Sequence, residues 1–224
     1  MKTIIISLGG SMIVPNSINV HYIKEFKEMI LNFLEQNYRF IIVCGGGKTC
    51  RNYLLALEEI YNATNDEKDW LGIRATHLNA ELIKIIFGEK AFEKIIIDPN
   101  EKISTDKKII IAGGWKPGFS TDMDAVILAN LFNSSKVINI SNIDYVYSKD
   151  PKIYKNAIKY EQLSWEDYLN LIGENWKPGM NSPFDPIASK YAKQNNITVS
   201  IIGNNVDNLK KCINEEEFLG TKIS

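Results

Sequence analysis

The sequence has few of the residues that mark disulfide-rich, zinc-binding or histidine-dependent proteins. Its 224 residues include three cysteines, Cys44, Cys50 and Cys212, whose odd number and irregular spacing argue against a disulfide framework and a metal site. The two histidines, His21 and His77, form no convincing Ser-His-Asp arrangement with other residues. We therefore expect buried or inert thiols in a reducing cytoplasm and chemistry that does not use such a triad.

Long apolar segments and an excess of charge of one sign are also lacking. The apolar run at residues 4–6 is too short for a signal peptide, and no other run is long enough to span a membrane. The 26 basic and 27 acidic side chains balance, so no overall field attracts nucleic acid. We expect a cytoplasmic protein without a membrane or nucleic-acid partner.

What the sequence does contain is a regular alternation of short β-branched runs with amphipathic helical patterns. The predicted strands are 4–8, 39–44, 95–97, 108–112 and 137–140, and the predicted helices are 20–36, 49–61, 70–87, 121–132 and 186–195. Residues 62–68 are predicted as a polar loop. This alternation is typical of an α/β fold with a mostly parallel sheet and helices on both faces. Without repeats or linkers, we expect one domain over 1–224, with a lobe boundary near 116–121.

Three of the predicted strands end in glycine pairs or triplets, in IIISLGGS, IIVCGGGK and IIIAGGWKPG. In a parallel sheet, ligands bind at the carboxyl ends of strands, where glycine lets the backbone approach them and its N–H groups bind anions. A single glycine-rich strand end is equally well explained as an ordinary tight turn that binds no ligand. Three of them favour a site for two phosphorylated molecules.

The Gly-Lys-Thr at 47–49 has the ending of a Walker A loop but not its spacing. That motif needs its first glycine at position 42, which is Ile42 inside a predicted strand, and G-x-G-x-x-G is absent as well. Residues 45–51 therefore predict a triglycine turn that leads into a helix, with Lys48 and Arg51 near its first turn. Arg51 suits bidentate phosphate binding; the alternative is a solvated helix residue.

Six stretches occur in order: LGGSMIVP, CGGGKTCRNY, DWLGIRATHLNAELI, GGWKPGFSTDMDAVILA, ISNIDYVYSKDPK and NSPFDPIASKYA. From about residue 3 to 203, they resemble the uridylate (UMP) kinases of the amino-acid-kinase superfamily, especially the archaeal-type branch. The resemblance implies a three-layer αβα sandwich with an acceptor-binding part of about 1–120 and an ATP-binding part of about 121–224. It also implies ATP with Mg²⁺ as donor, UMP as acceptor and a homohexamer built as a trimer of dimers.

The resemblance implies a set of UMP contacts: Gly46, Asp69, Gly72, Thr76, Lys116, Pro117, Gly118, Phe119, Ser120, Thr121 and Asp122. Asp69 would bind the ribose hydroxyls, because a carboxylate accepts two neighbouring hydroxyl donors well. The alternative is that Asp69 caps a helix that starts at Trp70. For 116–122 the alternative is an ordinary Pro-Gly turn followed by a helix cap.

The implied ATP contacts are Gly9, Gly10, Ser11, Gly47, Arg51, Asn142, Tyr147 and Asp150. The candidate catalytic residues are Asp144 and Asp185, which the resemblance implies, together with Lys48 and Arg51. Asp144 and Asp185 would lie near the triphosphate and Mg²⁺, which takes one or two carboxylates along with substrate phosphates. The alternative for Asp185 is the cap of the helix at 186–195, and SKDP alone is consistent with a simple turn.

Three positions depart from the pattern of the resembling kinases. Ser7 stands where many superfamily members carry lysine, so the cation for the transferring phosphoryl group is sought at Lys48, Arg51 or Lys116. Tyr145 replaces the usual glycine of DGVY. His77 stands where arginine is common, and its alternative role is that of a packed or surface histidine.

The hypothesis is in-line transfer of the ATP γ-phosphoryl group to UMP, by positioning and charge neutralisation without a general base. One alternative is a sister kinase for another acceptor, such as isopentenyl phosphate or an amino acid. Asp69 and the absence of histidine from 45–51 argue against isopentenyl phosphate. The other alternative is a non-catalytic nucleotide-binding or storage protein, which the changes at Ser7 and Tyr145 keep open.

Overall fold

The computed structural model describes residues 1–173 and 182–224, and within them it contains ten strands and eight α-helices. The strands are β1 Lys2–Leu8, β2 Tyr38–Cys44, β3 Ala91–Ile96, β4 Ile109–Ala112, β5 Lys136–Ile140, β6 Val146–Tyr147, β7 Lys159–Tyr160, β8 Gln162–Leu163, β9 Thr198–Ile202 and β10 Gly220–Ile223. The helices are α1 Gly10–Ile13, α2 Val20–Glu35, α3 Gly47–Ile60, α4 Asn65–Phe87, α5 Thr121–Leu131, α6 Trp165–Ile172, α7 Pro186–Gln194 and α8 Val206–Asn214. Asn181, which begins the quoted stretch NSPFDPIASKYA, lies outside the described residues.

Eight strands of the described residues form one sheet in the order β3-β4-β2-β1-β5-β9-β10-β8. Every pair in it is parallel except β9 with β10, and β6 pairs separately with β7 in antiparallel fashion. Leu8 is level with both Cys44 and Ile140, and Val43 is level with Ala112, so β1, β2, β4 and β5 end together. The turns after these strands therefore lie at one edge of the sheet, as the glycine pattern predicted.

The core is divided between the two faces of the sheet because side chains alternate along each strand. Ile4 and Ile6 pack on one face with α2, α4 and α8, whereas Ile5 packs on the other face with α5, α6 and α7. Both faces of β1 are buried, which explains its uninterrupted isoleucine run. The predicted three-layer αβα sandwich with a mostly parallel sheet is confirmed.

One helix boundary differs from the prediction for a clear local reason. Helix α4 begins at Asn65, so the predicted loop at 62–68 is partly helical and the predicted start at Trp70 is wrong. Thr64 and Glu67 form a capping box, in which the Thr64 N–H donates to Glu67 Oε2 at 2.8 Å and the Glu67 N–H donates to Thr64 Oγ1 at 3.3 Å. Asp69 therefore lies inside the helix, and its alternative role as a cap is wrong.

Two other boundaries shift by a few residues. Helix α3 starts at Gly47 rather than at residue 49, and β3 starts at Ala91 rather than at residue 95. Within residues 1–173 and 182–224, no helix has the length and apolar character needed to cross a bilayer.

Candidate active site

The glycine turns after β1 and β2 pack directly against each other at the common edge of the sheet. The Gly9 N–H donates to the Ile140 carbonyl at 2.9 Å. A methyl group on Gly10 would lie 1.9 Å from the backbone nitrogen of Gly47, so no side chain fits there. Four predicted ATP contacts, Gly9, Gly10, Ser11 and Gly47, are thus brought together. Backbone packing is therefore sufficient to require glycine at position 10.

The predicted phosphate cations lie on the first turn of α3, beside these glycines. Gly47 begins the helix with φ of +62°, a conformation that favours glycine. The Lys48 N–H donates to the Val14 carbonyl at 2.8 Å, which fixes the start of the helix against the end of α1. Lys48 is half-buried and Arg51 is exposed. Both cations stand near the positive end of the helix dipole, so this corner favours an anion.

Two predicted UMP contacts, Gly46 and Gly72, lie on either side of one thiol. A methyl group on Gly46 would lie 2.6 Å from Cys50 Cβ, and one on Gly72 would lie 3.3 Å from Cys50 Sγ. Burial raises the pKa of the Cys50 thiol. Cys50 was not predicted as a site residue, because a lone cysteine in a helical pattern carries no signal for its neighbours.

The Trp115 loop, residues 113–120, connects β4 to α5 and is held by side chains of α4. The Gly118 N–H donates to Asp69 Oδ2 at 2.9 Å, and the Gly114 N–H donates to Thr76 Oγ1 at 2.7 Å. The predicted ribose ligand and the predicted phosphate loop are therefore in contact. The loop ends where the Ser120 hydroxyl caps α5 by accepting from the Met123 N–H. The remaining predicted acceptor contacts belong to the same loop and helix start: Pro117, Phe119, Thr121 and Asp122.

Lys116 does not extend freely into solvent but lies over two aromatic rings. Its Nζ is 3.8 Å from the Trp115 ring centroid and 4.8 Å from that of Phe119. The two rings contact each other edge to face, with centroids 4.7 Å apart. A phosphate contact by Lys116 would require its side chain to leave this cation–π arrangement.

Ser7 belongs to a polar cluster at the carboxyl end of the sheet, and this cluster explains why a serine fits at position 7. The Ser7 hydroxyl donates to Asp122 Oδ1 at 3.1 Å, and the Asp185 N–H donates to Asp122 Oδ2 at 3.1 Å. Asn139 Nδ2 also donates to Asp122 Oδ1 at 3.4 Å. Burial, together with the nearby charge of Asp185, raises the pKa of Asp122 to about 7. Ser7 thus supplies a neutral donor to a carboxyl group that does not ionise readily.

Asp185 caps α7, as its alternative role predicted. Its Oδ1 accepts from the Ala188 N–H at 2.7 Å, and Pro186 follows at the first helical position. Burial raises the pKa of this carboxyl group as well. A cap uses only part of the acceptor capacity of a carboxylate, so a role near Mg²⁺ is compatible with it.

Asp144 follows β5 and packs against the end of β9. Its carboxylate lies where a side chain on Gly203 would be, since a methyl group there would lie 2.0 Å from Oδ1. Asp144 is exposed. Among the described residues no group of three or more His, Cys, Asp or Glu side chains could hold a metal ion by itself. Mg²⁺ needs only one or two carboxylates when phosphates supply other ligands, so Asp144 and Asp185 fit that chemistry.

A cavity of about 390 Å³ lies beyond the end of β5, and we call it the tyrosine cavity. Its walls include Asn142, Tyr145, Tyr147, Asp150, Leu171 and Ile172. Three predicted ATP contacts, Asn142, Tyr147 and Asp150, therefore share one cavity. The glycine turns and Arg51 are not among its walls.

The sequence model of the amino acid kinase family matches residues 2–203. The chain belongs to the amino acid kinase family. Uridylate kinase from Archaeoglobus fulgidus is 34% identical to this chain over 224 residues, with 99% of each chain covered. Uridylate kinase from Pyrococcus abyssi is 32% identical over 203 residues, with 89% of each chain covered. The crystal structure of uridylate kinase from Archaeoglobus fulgidus matches with a TM-score of 0.84 at 33% identity, over 100% of both chains. The resemblance identified from the six stretches is confirmed.

Two further residues contact the Trp115 loop, and neither was predicted as a site residue. His77 Nε2 lies 2.8 Å from the Gly114 carbonyl oxygen, which confirms the packed role given as its alternative. Asp124, in the first turn of α5, is 1% exposed and its Oδ2 accepts from the Trp115 N–H at 3.2 Å. Its Oδ1 has no hydrogen-bond partner among the described residues, and burial raises its pKa to about 8. In the sequence, the only sign of this contact with the Trp115 N–H was that Asp124 is the second aspartate of the stretch STDMD.

Proposed function

We propose that this chain transfers the γ-phosphoryl group of ATP to UMP, giving UDP and ADP. The observation that carries the proposal is the contact between Asp69 and the Gly118 N–H at 2.9 Å. This contact unites the ribose ligand and the phosphate loop of the proposed acceptor site, at the sheet edge where the glycine turns meet. The two uridylate kinases that are 34% and 32% identical over most of their length support the same acceptor.

The acceptor would bind between α4 and the Trp115 loop. Asp69 retains acceptor capacity for the ribose hydroxyls beside its bond to the Gly118 N–H. The N-terminus of α5, with the hydroxyls of Ser120 and Thr121, suits the acceptor phosphate because its N–H groups and dipole favour an anion. Gly46, Gly72 and Thr76 complete the proposed wall of this site.

The donor would place its nucleoside in the tyrosine cavity and its phosphates at the glycine turns. Lys48 and Arg51 would neutralise charge on the transferring group, and Asp144 and Asp185 would hold Mg²⁺. When bound, Mg²⁺ would neutralise negative charge on the phosphate oxygens. The acceptor phosphate is already ionised, so the side chains need only position both nucleotides and stabilise charge.

We propose that the acceptor and the donor nucleoside are bound by different parts of the sequence. Residues of about 1–120 would hold the acceptor and residues of about 121–224 the donor nucleoside, since the described residues that line the tyrosine cavity all lie from 141 onwards. Cytoplasmic location stays a prediction.

We also propose a homohexamer built as a trimer of dimers. In α3 no residue is buried, although its surface carries Tyr53, Leu55 and Ile60 with exposed fractions of 61%, 54% and 83%. Tyr53 and Ile60 are seven residues apart and therefore lie on the same face of α3, and apolar surface exposed on one helix face is a feature of interaction sites. The molar mass in solution, measured by light scattering, tests this assembly.

The decisive experiment is an acceptor panel with ATP and Mg²⁺, in which ADP release is measured with UMP, CMP, isopentenyl phosphate and amino acids. We expect the highest kcat/KM with UMP. A higher value with another acceptor would favour a sister kinase. If nucleotide binds but no acceptor stimulates ADP release, the non-catalytic alternative would replace the proposal.

A further inference from the structure

Two tyrosines meet nearly at a right angle in the wall of the tyrosine cavity. The ring centroids of Tyr145 and Tyr147 are 6.3 Å apart and their planes are inclined by 79°. Both residues are half-buried and both line the cavity. Aromatic pairs favour this edge-to-face geometry, so the two rings support each other in a fixed corner.

Lys159 holds the Tyr145 ring without lining the cavity itself. Its Nζ lies 4.6 Å from the centroid of that ring and 2.9 Å from Glu161 Oε1. The backbone on either side is also fixed, because β6 pairs with β7 and the buried Val146 N–H donates to Thr221 Oγ1 at 2.8 Å. A ring held in this way before ligand binding loses little freedom when a ligand stacks on it.

The other walls of the cavity match a flat heterocycle better than a bare anion. Leu171 and Ile172 provide apolar surface, and Asn142 provides an amide that can donate and accept hydrogen bonds. Two lysines, Lys149 and Lys152, add positive charge to the lining. Aromatic, amide and cationic groups in one cavity of this size suit a nucleoside with an attached phosphate chain.

We propose that Tyr145 is a specificity-determining residue that stacks on the purine base of the donor nucleotide and favours purine over pyrimidine donors. The inference rests on the proposed function for the assignment of this cavity to the donor. A purine has a larger π-face than a pyrimidine, so it gains more from a fixed aromatic wall. Because the resembling kinases usually carry glycine at this position, the wall is a feature of this chain's own sequence.

Equilibrium binding tests the proposal without relying on turnover. MgADP, MgCDP and inorganic triphosphate are titrated calorimetrically into the wild-type protein, Tyr145→Phe and Tyr145→Leu. Loss of one base–aromatic contact corresponds to a roughly tenfold weaker affinity. We therefore expect Tyr145→Leu to bind MgADP about tenfold more weakly, to bind MgCDP with a smaller loss and to bind triphosphate unchanged. Tyr145→Phe keeps the ring and is expected to bind like the wild type.

Tyr154→Leu is the matched control. Tyr154 also lies beneath a lysine, with Lys149 Nζ 5.4 Å from its ring centroid, but it does not line the cavity. We expect this variant to bind all three ligands as the wild type does. The melting temperature of each variant verifies that it is folded.

Equal MgADP affinity in wild type and Tyr145→Leu would overturn the proposal, and so would an equal loss for MgADP, MgCDP and triphosphate. These outcomes are independent of the acceptor panel. If Tyr145→Leu weakens MgADP binding but UMP is not phosphorylated, the specificity inference holds and the proposed reaction fails. If UMP is phosphorylated but MgADP affinity does not depend on Tyr145, the reverse is true.

Discussion

The Trp115 loop and the tyrosine cavity lie on opposite halves of the chain and are built in different ways. The loop is held by buried polar side chains, of which Thr76 is 7% exposed and Asp124 is 1% exposed. The cavity is bordered by exposed polar residues, including Asn142 and Asp150, and by the two-residue strand β6. The Trp115 loop is fixed by hydrogen bonds to buried side chains, whereas the wall of the tyrosine cavity depends on the packing of aromatic rings against each other.

Because of this difference, substitutions in the two regions should affect stability and substrate binding in different ways. A buried donor that loses its partner carries the full cost of desolvation, so changes beneath the Trp115 loop should alter stability and acceptor binding together. Exposed residues carry no such cost, so changes around the tyrosine cavity should alter donor affinity with little effect on folding. Separate KM values for UMP and ATP, together with unfolding curves, distinguish the two behaviours.

The largest expected effects are those of changes at Asp124, and Asp124→Ala removes the acceptor of the Trp115 N–H. Leaving a buried N–H unpaired costs about 1–3 kcal/mol, and we expect a loss of stability of that size together with a raised KM for UMP. Asp124→Asn keeps an oxygen that can accept this hydrogen bond and should restore both. Urea unfolding and steady-state kinetics measure the two effects. An unchanged KM for UMP in a destabilised Asp124→Ala protein would show that Asp124 supports folding alone.

The same residue makes stability depend on pH. The pKa of Asp124 is about 8 in the folded protein, against about 3.9 for an unfolded aspartate. Between these values the unfolded chain loses the proton while the folded protein keeps it, so folding becomes less favourable as pH rises and the effect is complete above pH ~8. Asp124→Asn lacks this penalty. We expect its stability relative to wild type to be higher at pH 9 than at pH 5 by a few kcal/mol, whereas the exposed control Asp66→Asn should show no such gain.

Asp69→Asn should separate the two substrates more sharply than it affects folding. Asp69 is half-buried, and the asparagine oxygen can still accept from the Gly118 N–H. What is lost is the negative charge that would bind the ribose hydroxyls in the proposed site, and hydrogen bonds to charged groups contribute about 1.5–3 kcal/mol. We therefore expect KM for UMP to rise by roughly tenfold or more and KM for ATP to stay nearly constant. A similar increase in both KM values would mean that Asp69 does not bind the acceptor.

Much of the fold was predictable because its signals are local. The isoleucine runs of β1 and β4 and the glycines that follow them identify buried parallel strands that end in tight turns. The start of α4 was also encoded locally, in the capping-box residues Thr64 and Glu67. The prediction of a loop at 62–68 did not take this pattern into account. The two-residue strands β6, β7 and β8 are too short for any periodicity to reveal.

The polar contacts of the site were predictable only where a family pattern named their residues. Ser7 and Asp122 are 115 positions apart, and nothing near either residue indicates the other. In the sequence, Asp124 resembles any acidic residue in the first turn of a helix. Its contact with the Trp115 N–H is evident only in the folded protein, where the loop after β4 lies beside it. Pairings of this kind depend on the register of the sheet, which a single sequence does not contain.

Lys116→Ala gives the smallest expected effect and tests which role this lysine has. Its ammonium lies over Trp115 and Phe119, an exposed arrangement that contributes about 0.5–1 kcal/mol. If that is its main role, the variant should have a slightly lower melting temperature and a KM for UMP raised by no more than a few fold, with kcat unchanged. Lys116→Arg keeps a cation that can stack on the rings and should behave like the wild type. A fall in kcat of a hundredfold or more in Lys116→Ala, with the melting temperature preserved, would instead mean that Lys116 leaves the rings during the reaction. It would then supply the phosphoryl-stabilising charge that Ser7 cannot supply.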